Sequence, residues 1–211
     1  MAEKLIVVGG GGFGSEVYWL AEEAGWDVLG FLDDNTEASN ARLLDKPILG
    51  PVADWPKFER AKFVVGIGAP RTRQRVVDAM CRTGTPQFAT LIHPSVHRSR
   101  FVEIGEGTMV TAGCILTTNI SIGRHNILNL NVTVGLDCRF SDFVTVAPMT
   151  AVSGRVTLRD KVEVGTGAAI RQGLEVGEGS VVGMGAVVTR DLAPQGIYVG
   201  NPAKLLKPVD D

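Results

Sequence analysis

Three glycines, Gly9, Gly11 and Gly14, stand in the spacing G-x-G-x-x-G inside LIVVGGGGFGSEV, after a short apolar run and before a helical pattern. Glycines so placed let the backbone approach a phosphate closely, and the N-terminus of the following helix attracts its charge. Gly11, Gly12, Phe13 and Ser15 are the residues that would line such a site. Asp33 and Asp34 follow about twenty residues on, at the end of a second apolar run, where a carboxylate can bond a ribose or a base. The GIG turn (66–68) adds Gly68, with Arg71 and Arg73 just beyond it, as a second loop facing the same crevice. This is the dinucleotide fingerprint, and both an NAD-linked reading and a purely structural one stay open at this point. The other residues able to do chemistry are few. There are three histidines, His93, His97 and His125, and three cysteines, Cys81, Cys114 and Cys138, in no metal-ligating pattern. The cysteines read as free thiols in a reducing compartment.

The elements around the glycine loop alternate. LIVV (5–8), DVLGFLDD (27–34) and KFVVGIG (62–68) read as strands. SEVYWLAEEAG (15–25) and RTRQRVVDAMCRTG (71–84) read as helices. Alternation of this kind predicts a small parallel α/β sheet over residues 1–90. The stretch 35–59 is rich in turn formers and is expected to be irregular.

From residue 101 a different rule takes over. Stepping by six from Ile104 gives Val110, Leu116, Ile122, Leu128, Val134, Phe140, Val146, Val152, Leu158, Val164, Ile170, Val176, Val182 and Val188, fifteen apolar residues in succession. A six-residue period of this length predicts a parallel β-helix. Each unit is one short strand and a corner, three units close a coil, and residues eighteen apart stack. The segment from Ile197 leaves the period and is expected to cap or cross the last coil. Domains are therefore expected at 1–90 and 91–211.

Composition narrows the partners. With 45% hydrophobic residues the chain can build a core, and a net charge of −2 without a basic stripe gives nucleic acid no footprint. No run approaches the ~18 apolar residues of a membrane span, and the N-terminus lacks the pattern of a signal peptide. A soluble, cytoplasmic protein is expected.

The hexapeptide repeat, GAVVTRD (185–191), VGNPAKLLK (199–207) and the N-terminal GGGGFGSEV, GFLDDN and VGIG segments resemble the left-handed β-helix acyltransferases. Among these, the pairing of both halves resembles the amino-sugar N-acetyltransferases and sialic acid O-acetyltransferases of bacterial surface-glycan pathways. The resemblance covers nearly the whole chain. It implies a Rossmann-like nucleotide-sugar domain, a left-handed β-helix, a homotrimer, and acetyl-CoA as acyl donor in a groove between neighbouring β-helices. It makes the glycine loop, Asp33, Asp34, Gly68 and Arg71 a nucleotide-sugar site. Ser15 departs from the Lys or Arg that the family often carries there, which leaves Arg71 or Arg73 to meet the pyrophosphate.

Acetyl transfer to an amine is helped by a general base, a donor for the developing oxyanion, and fixed geometry. The resemblance places the base at the first residue of a His-Asp-Cys triplet, and here the triplet is Leu136-Asp137-Cys138. Leucine cannot accept a proton. Gly154, eighteen residues on, matches the family's oxyanion donor. Thr145 stands where the family has a sugar-contacting histidine. Of the remaining candidates for a base, His125 lies on a different face and reads as a surface or corner residue, His93 reads as structural, and Asp137 would need desolvation to serve. The resemblance also assigns Thr166, Gly167, Met184 and Gly185 to the pantetheine track, and Arg190 and Lys204 to the phosphates of acetyl-CoA. The implied activity is acetylation of a nucleotide-linked amino sugar. Sugar O-acetylation, which needs a base more, and a binding-only protein are the alternatives.

Overall fold

The computed structural model describes residues 2–35 and 42–209. It comprises two compact units, Met1–Pro94 and Ser95–Asp211.

In the first unit, β1 (Lys4–Val8), β2 (Asp27–Leu32), β4 (Lys46–Gly50) and β5 (Lys62–Val65) run parallel. β3 (Arg42–Leu43) forms a short hairpin with β4, giving the order β3-β4-β2-β1-β5. Leu5, Ile6, Val7 and Val8 are fully buried because the sheet is covered on both faces. α1 (Gly12–Glu23) follows β1, and α2 (Pro70–Thr83), with proline in its first turn, follows β5. The stretch 35–59 is more regular than its turn-rich sequence suggests. Within the described part, β4 extends the parallel sheet, and a 3-10 helix spans Val52–Phe58, with Trp55 buried edge-on against Phe63. Residues 36–41 lie outside the described residues.

The second unit is a parallel β-helix with three faces. Face one stacks Val102–Ile104, Ile120–Ile122, Arg139–Phe140, Thr157–Leu158 and Glu175–Val176. Face two runs from Met109–Val110 through Thr145–Val146 to Val181–Val182, and face three from His97–Arg98 through Thr133–Val134 to Val187–Val188. Partners across each face are eighteen residues apart, as in Thr133 with Ala151 and Val134 with Val152. Fourteen of the fifteen period-six residues are buried, and Ile104, in the first full coil, is half-buried. Stacking continues at both ends. His97–Arg98, read as preceding the regular coils, pairs in parallel with Ile115–Leu116. The segment from Ile197 leaves the eighteen-residue spacing as read, yet Gly196–Val199 still stacks on face two, with Val181 opposite Ile197, and the strand Lys204–Pro208 folds back antiparallel on it.

Each corner carries one residue in the left-handed region, from Gly107 (φ +71°) through Asp137 (φ +61°) to Gly185 (φ +65°). The next residue points inward and, at five corners, donates to the carbonyl fifteen residues on. Thr108 Oγ1 donates to Gly123 O (2.9 Å), Cys114 Sγ to Asn129 O (3.1 Å), Asn126 Nδ2 to Ser141 O (2.9 Å), Cys138 Sγ to Ser153 O (3.1 Å) and Thr150 Oγ1 to Gly165 O (3.2 Å). Asn126 does more, because its Oδ1 also accepts Val144 N–H. Asn126→Ala would leave a buried donor and a buried acceptor unmatched, at about 1–3 kcal/mol each. A loss of about 5–15 °C in thermal midpoint is expected by calorimetry.

Candidate functional site

Two loops meet at the carboxyl edge of the first sheet, where β1 lies between β2 and β5. That is the topological switch point of an open parallel sheet. The tight packing is specific. A Cβ on Gly14 would stand 2.1 Å from Gly9 O, and one on Gly66 would stand 3.1 Å from Gly14 Cα. Gly11, Gly12 and Gly68 face open space, so their backbone can be approached. Gly11 caps α1 with no side-chain bond, and no acidic residue occupies the first turn, which leaves the amides of that turn for an anion. Phe13 and Ser15 are half-buried within the same first turn, and Arg71 stands half-buried in the first turn of α2.

The two aspartates divide their work. Asp33 accepts the amides of Gly10 and Asn35 and so holds the glycine loop itself. Asp34 is exposed, accepts Val52 N–H (2.8 Å), and borders a cavity of about 590 Å³ between the 3-10 helix and α2. Trp55, Val76, Met80 and Arg75 also line it. Arg73 is not available to a phosphate as the sequence suggested. Its guanidinium is fully buried and donates to Ile67 O (2.7 Å) and Gly68 O (2.8 Å), shaping the second loop from beneath.

In the β-helix, Leu136 and Gly154 stack on the corner that follows face three, together with Thr118 and Arg190. Leu136 is 45% exposed, and its Cγ lies 3.3 Å from where a Cβ on Gly154 would be. Leu136 O accepts Arg155 N–H (2.7 Å), and Gly154 O accepts Gly173 N–H (3.0 Å). Gly154 N–H donates to no acceptor among the described residues. At the corner that follows face one, by contrast, Arg124 N–H and Asp142 N–H are each taken by the aspartate one coil on, Asp142 (2.7 Å) and Asp160 (2.8 Å). The Gly154 amide, like that of Thr166 at another corner, is left open by the described residues.

Asp137 accepts Asn119 Nδ2 (2.6 Å) and borders a cavity of about 320 Å³ with Phe101, Glu103, Ser121 and Arg139. The sequence reading missed this cavity. Its signal is a grid of steps of two and eighteen, with Phe101, Asn119 and Asp137 in one column and Glu103, Ser121 and Arg139 in the next. Cys138 is buried beneath the turn that follows Gly154, and burial pushes its thiol up from its ordinary value. Burial pushes Cys114 up to about 11, so both are inert thiols at neutral pH.

The remaining candidates lie elsewhere in the unit. Thr166, Gly167, Met184 and Gly185 occupy the corner after face two, with Gly185 N–H donating to Thr166 O (2.9 Å) and Met184 77% exposed. Gly167 and Gly185 have left-handed φ and open space beside them, so the corner itself favours glycine at both. Thr145 lies on the outer side of face two, between Ile127 and Glu163. The fold does not bring it to Leu136 within one subunit. Lys204 is exposed on the returning strand. His125, read as a surface or corner residue, sits at a corner but is buried. Its ring stacks on Phe143 at 5.2 Å, at the corner after face one, so it cannot stand beside Leu136 in the same subunit. His93 packs near Trp19 and Glu23 in the first unit, as a structural residue would. Among the described residues no cluster of three or more His, Cys, Asp or Glu could hold a metal, and no helix is long and apolar enough to cross a membrane.

A parallel sheet with a glycine loop, joined in one chain to a hexapeptide β-helix with open corner amides, defines a bipartite hexapeptide-repeat architecture. The PglD N-terminal domain family matches residues 4–80. The acetyltransferase domain of PglB from Neisseria gonorrhoeae is 31% identical over 97% of this chain and 100% of its own, with a TM-score of 0.90. That domain has also been solved with acetyl coenzyme A. A histidine-to-asparagine mutant of perosamine N-acetyltransferase from Caulobacter crescentus, in complex with CoA and GDP-perosamine, is 28% identical over 98% of both chains, with a TM-score of 0.90. WeeI from Acinetobacter baumannii is 30% identical over 97% of this chain and 100% of its own, with a TM-score of 0.83. No protein of curated function matches in sequence. The chain belongs to the nucleotide amino-sugar N-acetyltransferases of the hexapeptide-repeat family.

Proposed function

We propose that the protein transfers an acetyl group from acetyl-CoA to the amine of a nucleotide-linked amino sugar of the 4-amino-4,6-dideoxy type. The observation that carries the reading is the open amide of Gly154, beside Leu136 on an exposed corner. The relatives supply the substrate classes: one was solved with acetyl coenzyme A, another with CoA and GDP-perosamine. In this reading Gly154 N–H meets the thioester oxygen as it gains charge. The amine loses one proton before attack. As its nitrogen bonds the carbonyl carbon the C–S bond breaks, and the second proton passes to the departing thiolate. Leu136 occupies the place of a general base and contributes none. Beside it, Glu103 and Asp137 set against Arg139 leave the cavity one net negative charge, which suits the ammonium form of an incoming amino sugar.

The nucleotide end is assigned to the first unit: the amides at Gly11, Gly12 and Phe13 for the diphosphate with Ser15 and Arg71 beside them, Gly68 on the facing loop, and Asp33 and Asp34 at the end of β2. Acetyl-CoA is assigned to Gly154, Thr166, Gly167, Met184, Gly185, Arg190 and Lys204. All of these but Lys204, which lies on the returning strand, occupy two corners of one prism, on either side of face three, so one ligand meets both only where two copies of the chain meet. Face three supports that arrangement. Its outward column is His97, Ile115, Thr133, Ala151, Ala169 and Val187, mostly small or apolar, with Met149 and Met184 exposed at one flank and Leu136 at the other. A homotrimer burying face three completes the groove, and light scattering would check its mass.

The test is thiol release from acetyl-CoA with UDP-, dTDP- and GDP-linked 4-amino sugars. Turnover is expected with one nucleotide class, increasing with pH toward the amine's own pKa, because no protein base limits it. Release without any acceptor preference would overturn the reading.

A further inference from the structure

We infer that Cys138 is a positioning residue for acyl transfer, because its thiol holds the carbonyl of the same peptide whose N–H is the proposed oxyanion donor. The inference rests on the reading that Gly154 N–H meets the thioester oxygen. Cys138 Sγ lies 3.1 Å from Ser153 O, and the Ser153–Gly154 peptide joins that carbonyl to the open amide. A peptide is planar, so a bond that fixes the direction of C=O fixes the direction of N–H. A bond accepted by the carbonyl also polarises the amide and strengthens its donation.

The same inward bond recurs at four other corners, which allows a comparison inside one molecule. In three of those the amide of the held peptide is already used. Arg124 N–H goes to Asp142, Asp142 N–H to Asp160, and Leu130 N–H to Asn129 Oδ1 (2.7 Å). In the fourth, Thr150 holds Gly165 O, and Thr166 N–H donates to no acceptor among the described residues. The two peptides that are held from inside yet open outside are therefore those of Gly154 and Thr166, both proposed to meet acetyl-CoA. At the three corners whose amide is taken the bond only builds the coil; at Cys138 it also aims the proposed oxyanion donor.

Cys114 provides the control, since it makes the same bond to Asn129 O at 3.1 Å, where Leu130 N–H is already occupied. Three variants are compared with the native chain: Cys138→Ala, Cys138→Ser and Cys114→Ala. Both alanine variants are expected to lower the thermal midpoint by similar amounts. Only Cys138→Ala is expected to lower kcat, roughly tenfold, a fraction of what losing an oxyanion donor outright costs. KM for the sugar nucleotide should stay unchanged, and Cys138→Ser, which can donate to the same carbonyl, should restore kcat. The amide resonance of Gly154, read in ¹⁵N-glycine-labelled protein, should move in Cys138→Ala and stay in Cys114→Ala. An unchanged kcat in Cys138→Ala, or an equal loss in Cys114→Ala, overturns the inference. A native protein that turns over no amino sugar sinks the functional reading instead, and a Gly154 resonance that does not move in Cys138→Ala would then sink the positioning role separately.

Discussion

Histidine in place of Leu136 is expected to raise kcat for acetyl transfer by about 10²-fold near neutral pH, the lower range of what a positioned general base supplies. Leu136 is 45% exposed at its corner, so an imidazole can enter without disturbing the buried residues of the coil. The pH profile should change with the rate. In the native chain the deprotonated fraction of the amine should set the slope, and activity should climb through the alkaline range. In Leu136→His the profile should level off above about pH 6.5, where an ordinary imidazole becomes neutral. Stopped-time assays of thiol release across pH 5.5–9 (an assay window of roughly the span over which His and amines titrate) would separate the two shapes. A variant that matches the native rate and profile would mean that the proton leaves by another route and that Leu136 costs the protein nothing.

Gly14→Ala is expected to abolish nucleotide binding and destabilise the first unit by about 1–3 kcal/mol or more, because it overpacks a backbone contact. The added Cβ would stand 2.1 Å from Gly9 O, and a carbonyl in a tight loop cannot rotate away as a side chain can. The loop between β1 and α1 must then open, and the amides at Gly11 and Gly12 lose their direction. Gly12→Ala separates the two effects. Its Cβ meets nothing, so the thermal midpoint should hold while a methyl group at the approach to the phosphate weakens binding. Calorimetric titration with UDP, dTDP and GDP alongside thermal melts would read both. Equal stability of Gly14→Ala and the native chain would overturn this account of the loop.

The architecture was legible because a β-helix writes its geometry into composition. The residues from Val110 to Val188 had to be apolar because they face one narrow interior, and the period of six was visible without any structure. The glycine loop was legible for a similar reason, since close backbone contacts demand glycine. What could not be read were positions filled for local reasons. Arg73 looked like a phosphate ligand because arginines often are, but its guanidinium is spent on two loop carbonyls from below. His125 was read as a surface or corner residue; it is a corner residue, but Phe143 one coil on covers it. The grid of Phe101, Asn119 and Asp137 went unread because outward columns obey no hydrophobic rule. The last strand escaped because Ile197 stacks on Val181 after sixteen residues instead of eighteen.

The eighteen-residue stacking also constrains how such a chain can change. A loop in an ordinary domain absorbs insertions of any length, since its ends stay anchored. Here each inserted residue shifts the phase of everything downstream. An insertion of six would keep every apolar residue inside yet turn all later side chains by a third of a circle, carrying Arg190 off the edge that bears Leu136. Length changes that leave the fold intact can thus dismantle the site, and only those of a whole coil, or those bulging out at a corner, keep both.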